Sequence, residues 1–237
     1  MEIEILLNEL YLSLGILKYV AWNPQKAPHI IVVGNTGSGK TYFTRLLLGK
    51  IALYVKDSQI FVADFKGDND FSFLDPYKRF YRFSNCGAGL REYYEEFEAR
   101  QSGECSNRNM LVLLFDEWAS YINFLEKKEA DTAKRLMTNL LQLGRSFNVH
   151  VIISQQRADA SYFNSARDNL NIAIGLGNLS EESKAMLFYE FKSDMKADRR
   201  QGTGYMVVNG ADFIAIQVPV IQDMRRLESV ICKAVER

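Results

Sequence analysis

Eight consecutive residues carry the strongest chemical signal in the sequence. They match the pattern G-x-x-x-x-G-K-[ST] at every fixed position and are Gly34, Asn35, Thr36, Gly37, Ser38, Gly39, Lys40 and Thr41. Glycines let successive backbone N–H groups turn toward phosphate oxygens, and the N-terminus of a following helix adds partial positive charge. We expect Lys40 to reach the β- and γ-phosphates of ATP, and Thr41 to ligate Mg²⁺ through its hydroxyl.

An acidic pair, Asp116 and Glu117, follows the apolar run 111–115. We expect Asp116 to hold Mg²⁺ through water and Glu117 to polarise the attacking water as general base. The same pair could instead cap a helix and interact with its dipole. The glutamate next to Asp116 is more typical of a hydrolase that moves a substrate than of a kinase or a GTPase switch. The chain also lacks the N-K-x-D motif that reads guanine.

A third candidate, Gln155, stands at the end of the next apolar run. Its amide is placed where a γ-phosphate could be sensed. The alternative is that the polar residues 154–157 simply form a turn at the end of a strand.

The elements that must position these residues alternate along the chain. A helix is predicted over 41–53 from the spacing of its apolar residues, and strands are predicted at 30–33, 59–63, 80–83, 111–115, 149–153, 171–175, 204–208 and 213–218. This order indicates an α/β fold with a mainly parallel sheet flanked by helices. The last two strands, joined across Asn209 and Gly210, should form an antiparallel hairpin at the sheet edge.

The first 27 residues are predicted to form a helical extension, and 28–237 a single domain. The stretch from Ile3 to Trp22 is apolar but interrupted by Glu4, Glu9 and Lys18, which argues for an amphipathic helix and against a transmembrane segment. Such a helix would pack on the domain or dock onto a membrane or a partner.

Charge and cysteine content limit the function further. The 237 residues include 29 basic and 29 acidic side chains, so the formal net charge of zero excludes DNA binding by bulk positive charge. Three cysteines without a C-x-x-C pair fit a reduced cytoplasmic compartment.

Several segments in order and spacing resemble one family. They are Pro28-His29-Ile30 leading into the phosphate loop, Val62-Ala63-Asp64-Phe65-Lys66, Phe115-Asp116-Glu117, Leu143-Gly144-Arg145-Ser146 with 149–156, 166–170 with 173–180, and Gln201-Gly202-Thr203-Gly204-Tyr205. Together they resemble the motor domain of the FtsK/SpoIIIE/HerA superfamily of DNA-pumping ATPases, most closely the TcpA-like conjugative coupling ATPases of Gram-positive mobile elements.

The resemblance implies a RecA-like P-loop NTPase fold of the ASCE type and a ring, hexameric in the family, around DNA. ATP would lie between subunits, and Arg145 would be the arginine finger, with Arg167 second; a surface salt bridge is the alternative for either. Asp64 and Lys66 would lie near the γ-phosphate or the subunit interface, although Phe65 stands where the family often has proline.

Contact with DNA would be made by loops lining the channel, largely independent of sequence. The candidates are 67–73 and 121–128, whereas the basic stretch 184–200 is interpreted as a solvated helix face. The family's membrane helices and winged-helix reader have no room in 237 residues. We therefore expect a cytoplasmic motor, which is either a stand-alone short motor of a mobile element or phage or a motor domain separated from its anchor. In the second case it would reach the inner face of the membrane through that anchor, or through a partner such as a relaxase or secretion component.

The function predicted at this stage is ATP hydrolysis coupled to DNA translocation in conjugative transfer or a related process. Two alternatives stay open: an ATP-switched assembly or scaffold protein of a secretion or packaging complex, and a plasmid or phage helicase or packaging ATPase.

Overall fold

The computed structural model describes all 237 residues and contains one ten-stranded sheet. The strands are β1 (Ile3–Asn8), β2 (Tyr19–Trp22), β3 (Ile30–Val33), β4 (Gln59–Asp64), β5 (Phe80–Arg82), β6 (Leu111–Asp116), β7 (Val149–Gln155), β8 (Ile172–Leu176), β9 (Thr203–Val208) and β10 (Asp212–Gln217). The helices are α1 (Glu9–Ser13), α2 (Lys40–Tyr54), α3 (Cys86–Ser102), α4 (Trp118–Phe124), α5 (Lys127–Leu143), α6 (Glu181–Leu187) and α7 (Met224–Glu236).

The strand order is β2-β1-β10-β9-β8-β3-β7-β6-β4-β5. The six strands from β8 to β5 are parallel, so their carboxyl ends share one edge of the sheet. Two apolar clusters of 33 and 31 buried residues lie on opposite faces. Because both faces are covered, the central strands are apolar over most of their length, as residues 111–115 of β6 show. The predicted mainly parallel α/β fold is confirmed.

Helices cover the two faces with apolar stripes at helical spacing. In α5 the buried residues include Ala130, Ala133, Met137 and Leu140, which all face the sheet. On the other face α2 packs against α7, and a Cβ on Gly49 would collide with the side chain of Leu227. This close approach fixes the helix that follows the phosphate loop.

The predicted hairpin is confirmed, but its predicted place at the sheet edge is wrong. Asn209 and Gly210 have φ of 50° and 71°, the left-handed conformation that a tight turn between twisted strands requires. However, β10 also pairs with β1, and β1 pairs with β2. The edge strand on this side of the sheet is therefore β2.

The prediction that the N-terminal extension is helical is wrong, because most of its regular structure consists of the strands β1 and β2. Ile3 and Ile5 are buried whereas Glu4 between them is exposed, which is the two-residue period of a strand. Only α1 between the two strands is helical, and none of its residues is buried. Residues 1–27 thus share the sheet and the core of the remaining chain, with the indole of Trp22 donating to Ala27 O at 2.7 Å.

None of the helices combines the length and the apolar character needed to cross a membrane. All three cysteines are free thiols.

Candidate nucleotide site

The glycine-rich loop connects the carboxyl end of β3 to the first turn of α2. Gly37 and Gly39 have φ of 80° and 99°, a conformation that favours glycine. Gly34 is required for a different reason, because a Cβ there would lie 2.4 Å from Leu176 O at the end of β8. The loop is therefore held between its own helix and the neighbouring strand.

Lys40 is the first residue of α2 and is buried in the loop. Its Nζ donates to Gly34 O at 2.6 Å and to Asn35 O at 3.4 Å. Burial lowers the pKa of Lys40, and the charges of Glu117 and Asp116 oppose this effect. The ammonium is thus within electrostatic range of the two carboxylates.

A cavity of about 360 Å³ opens over the loop. Besides loop residues and the first turns of α2, its lining includes Lys66, Asp70, Asp116, Glu117, Gln156 and Gln201. The predicted phosphate, metal and base residues therefore converge on one space at the carboxyl edge of the sheet.

Asp64, Asp116 and Ser154 form a polar row across the ends of β4, β6 and β7. Strand register pairs Asp64 with Asp116 and Asp116 with Ser154, so all three point to the face covered by α2. Burial raises the pKa of Asp116 to about 7 and also raises that of Asp64. Asp64 Oδ2 has no hydrogen-bond partner within the chain. Buried oxygen atoms of this kind suit a hard cation such as Mg²⁺.

Glu117 adopts a left-handed backbone conformation, with φ 58° and ψ 47°, between β6 and α4. For a residue other than glycine this conformation costs of order 1–3 kcal/mol and is concentrated at functional sites. Glu117 N donates to Ser154 O at 2.7 Å, and Ser120 Oγ donates to Glu117 Oε2 at 3.3 Å. Backbone and side chain together hold the carboxylate in the cavity.

The structure places the predicted sensor Gln155 outside this cavity. Strand alternation in β7 puts Gln155 on the face of Val151 and Ile153, where it is fully buried. Its Nε2 donates to Arg157 O at 2.8 Å. The next residue, Gln156, is exposed and lines the cavity instead.

The two candidate arginine fingers, Arg145 and Arg167, lie near the amino-terminal ends of β7 and β8, whereas the nucleotide cavity lies at the carboxyl ends of the parallel strands. Arg145 belongs to a 3₁₀ helix, Gly144–Phe147, that leads into β7, and Arg167 to another, Asn164–Asn169, before β8. Seven residues of β7 at about 3.3 Å each separate the two edges by roughly 20 Å. Both arginines are exposed; Arg167 pairs with Asp168 at 3.4 Å, whereas Arg145 makes no ion pair. Neither arginine can reach the nucleotide site of its own chain.

Lys66 reaches the cavity and pairs with Asp68 at 2.6 Å, while Asp64 Oδ1 accepts from Gly67 N at 2.9 Å. The buried Asp64 thereby fixes the loop that carries Lys66. Part of the predicted DNA loop 67–73 consequently belongs to the nucleotide cavity, since Asp70 lines it. The second predicted loop, 121–128, begins with buried residues and ends in an exposed segment.

Sequence reasoning missed Tyr42, Arg45 and Gln201, which also line the cavity. Arg45 pairs with Glu228 of α7, and Tyr42 Oη accepts a hydrogen bond from Ile221 N. Tyr42 and Arg45 lie within one turn of the phosphate loop, but no local signal shows that the C-terminal segment returns to them.

The basic stretch 184–200 is not the solvated helix face that was predicted. Helix α6 ends at Leu187, and the guanidinium of Arg199 pairs with Glu9 at 2.8 Å. Only 8% of the Arg199 side chain is exposed.

A ten-stranded sheet with a phosphate loop after one central strand and an Asp-Glu pair after another defines a P-loop NTPase. Residues 23–190 match the family model described as helicase HerA, central domain. The chain belongs to this family, the HerA/FtsK-type P-loop ATPases.

A curated relative matches most of this chain. The FtsK domain-containing protein YdcQ of Bacillus subtilis is 24% identical over an alignment of 223 residues, which covers 88% of this chain and 46% of YdcQ. This chain thus spans about half the length of that curated relative.

Solved structures share the fold at lower identity. The conjugation coupling protein TcpA of pCW3, in its monomer form with ATPγS, aligns with a TM-score of 0.76 and 18% identity over 98% of this chain and 70% of TcpA. The cytoplasmic domain of the type VII secretion ATPase EccC of Thermomonospora curvata aligns with a TM-score of 0.72 and 19% identity over 99% of this chain and 31% of EccC. The RecA-like fold expected from the sequence is confirmed.

Proposed function

We propose that this chain is the motor of an ATP-driven DNA translocase that serves conjugative transfer or a related process of a mobile element. The observation that carries the proposal is the convergence of Lys40, Thr41, Asp116 and Glu117 on one cavity. Membership in the HerA central-domain family and similarity to a conjugation coupling protein support DNA as the cargo.

Thr41 and Asp116 would hold Mg²⁺ beside the phosphates. Both line the cavity, and both supply the oxygen ligands that this ion prefers. The raised pKa of Asp116 fits this assignment. Burial disfavours the negative charge of the carboxylate, and a bound cation would stabilise that charge. When bound, the ion neutralises charge on the phosphate oxygens.

Glu117 would accept a proton from the attacking water. Its strained backbone and its hydrogen bond from Ser120 hold the carboxylate in place before the nucleotide arrives. Lys40 would offset the charge of the β- and γ-phosphates. Gln156, in place of Gln155, would sense the γ-phosphate through its amide.

Completion of the site would require a second copy of the chain. Arg145 is exposed, free of ion pairs and at the sheet edge away from its own phosphate loop, so it is suited to reach the site of a neighbour. A guanidinium stays charged and forks onto phosphate oxygens. We therefore propose a homo-oligomeric ring, hexameric by family, with ATP at each interface and Arg145 as the finger in trans.

The junction between α4 and α5, residues 124–128, is the better candidate for DNA contact. Phe124 is 62% exposed, and Lys127 and Lys128 follow it at the surface. Aromatic rings can stack on bases while lysines neutralise phosphates, which gives binding that is independent of sequence and sensitive to salt.

A second candidate is transport of a protein cargo, because the fold of a secretion ATPase covers 99% of this chain. The discriminating experiment measures nucleic-acid binding, ATP turnover and movement along DNA by the assembled oligomer at low salt. DNA-stimulated turnover with movement supports the proposal. A failure to bind or move along DNA would leave a protein-moving or ATP-switched assembly role.

The variant Glu117→Gln separates a motor from a switch. A motor should retain nucleotide but lose movement, since the general base is gone. A switch held in its ATP-bound state should still bind its partner.

A further inference from the structure

The turn at residues 199–203 packs directly against the phosphate loop. Gly202 N donates to Ser38 O at 2.9 Å, and a Cβ on Gly39 would lie 3.4 Å from Gly202 N. The neighbouring Gln201 lines the nucleotide cavity. This turn therefore supports the loop from the side opposite β7.

The end of β8 supplies a second support, which is bonded to the first. Asn35 Nδ2 in the phosphate loop donates to Asn178 O at 3.0 Å. The side chain of the same Asn178 accepts from Arg199 N at 2.9 Å. In addition, Gly177 N donates to Thr203 O at 2.8 Å. The two supports thus form one hydrogen-bonded unit around the loop.

The guanidinium of Arg199 ties this unit to the N-terminus of the chain. It donates to Glu9 Oε2 at 2.8 Å and to Gly204 O at 3.0 Å, and it lies 4.6 Å from the centre of the Tyr205 ring. Glu9 is the first residue of α1, directly after β1. The ion pair joins positions 190 residues apart in sequence.

Because the side chain of Arg199 is buried, loss of its ion pair with Glu9 should disturb the structure around it. Only 8% of the Arg199 side chain is exposed, against 33% for Glu9. An ion pair at the surface contributes little, whereas a buried guanidinium that loses its carboxylate is left with an uncompensated charge. Loss of Glu9 should therefore move Arg199 and the turn that carries it.

We infer that Arg199 is a positioning residue that couples the N-terminal β1–α1 segment to the phosphate loop through its ion pair with Glu9. The inference rests on the proposed binding of ATP at that loop. It predicts that a change more than one strand away from the cavity alters nucleotide affinity. The catalytic step, which depends on Glu117 on another strand, should be unaffected.

Equilibrium binding of the fluorescent nucleotide mant-ATP with Mg²⁺, followed by steady-state ATP turnover, tests the coupling in the full chain. Glu9→Gln keeps the shape of the side chain and removes its charge. We expect affinity to fall by roughly threefold to tenfold, the factor that one hydrogen bond of ordinary net strength supplies. The KM for ATP should rise by a similar factor while kcat stays close to wild type.

Two further variants keep the test decisive. Glu2→Gln removes an exposed carboxylate from the same terminus and should leave affinity unchanged. Arg199→Lys retains the positive charge but loses the planar guanidinium whose Nη2 donates to both Glu9 and Gly204, so its affinity should fall between those of wild type and Glu9→Gln. Equal affinities of wild type, Glu9→Gln and Arg199→Lys would overturn the coupling while leaving ATP binding intact. Absence of mant-ATP binding by wild type would instead refute the proposed function, and the coupling with it.

Discussion

Two histidines are buried together at the edge of the sheet opposite the nucleotide cavity. His29 immediately precedes β3, and its Nδ1 accepts a hydrogen bond from Val151 N at 3.0 Å. His150 in β7 has Nδ1 3.0 Å from Pro28 O and Nε2 2.8 Å from Asn148 Oδ1. Burial lowers the pKa of His29 to about 3 and that of His150 to about 4. Burial thus disfavours the protonated form of both rings in the folded protein.

The effect of pH on stability follows from these values. The unfolded chain binds protons on both rings below an ordinary histidine pKa of about 6.5, whereas the folded chain does not. Stability is therefore lost as pH falls through 6.5 toward the folded values. Between pH 8 and pH 5 the loss is about 2 kcal/mol for each ring, or about 4 kcal/mol for the pair. Asp116 acts in the opposite direction, because its raised pKa favours the folded state as pH falls.

The assay must separate these opposing contributions. Guanidinium unfolding at pH 8 and pH 5 should be compared between wild type and the double variant His29→Gln/His150→Gln. Glutamine can hydrogen-bond but does not titrate, so the double variant should lose about 4 kcal/mol less than wild type over this interval. The quantity compared is the difference in unfolding free energy between pH 8 and pH 5 for each protein. Any loss of stability that the substitutions cause equally at both pH values therefore cancels. An identical pH dependence in both proteins would refute the assignment of neutral buried rings.

Three further predictions concern the phosphate loop, the arginine finger and the proposed DNA contact. Gly34→Ala should abolish detectable nucleotide binding, since its Cβ would meet backbone at 2.4 Å; Gly103→Ala, which has positive φ but open space, is the matched control, and normal binding by Gly34→Ala would contradict the loop packing. Mixed oligomers of Arg145→Ala and Lys40→Ala subunits should regain ATP hydrolysis at some interfaces if the finger acts in trans, and stable mixed rings without recovery would count against Arg145. Lys127→Ala/Lys128→Ala should weaken DNA binding and lower its salt dependence without changing ATP affinity, and an unchanged salt slope would exclude this segment from the DNA contact.

The sequence predicted the central sheet well because its signals are local. The apolar run before Asp116 and the motif after β3 each require only neighbouring residues to be recognised. The same locality explains why the sequence directed Gln155, and not Gln156, toward the cavity. Strand β7 continues two residues beyond Ile153, and each added residue changes the face on which a side chain lies.

The N-terminus was mispredicted for a different reason. The apolar residues between Ile3 and Trp22 are compatible with the spacing of a helix and with that of a strand. Pairing of β1 with β10 selects the strand. The ion pair of Glu9 with Arg199 likewise depends on tertiary structure, so that no window of sequence reveals it. Contacts of this range become visible only once the strand order is known.

The central claim is that ATP hydrolysis at the phosphate loop is coupled to DNA. Its most direct test is the steady-state ATP turnover of the assembled oligomer, with and without DNA, for wild type and Glu117→Gln. The account predicts that DNA stimulates the wild type and that Glu117→Gln binds nucleotide but turns over about 10²–10⁴-fold more slowly. Turnover that ignores DNA, or that survives in Glu117→Gln, would contradict it.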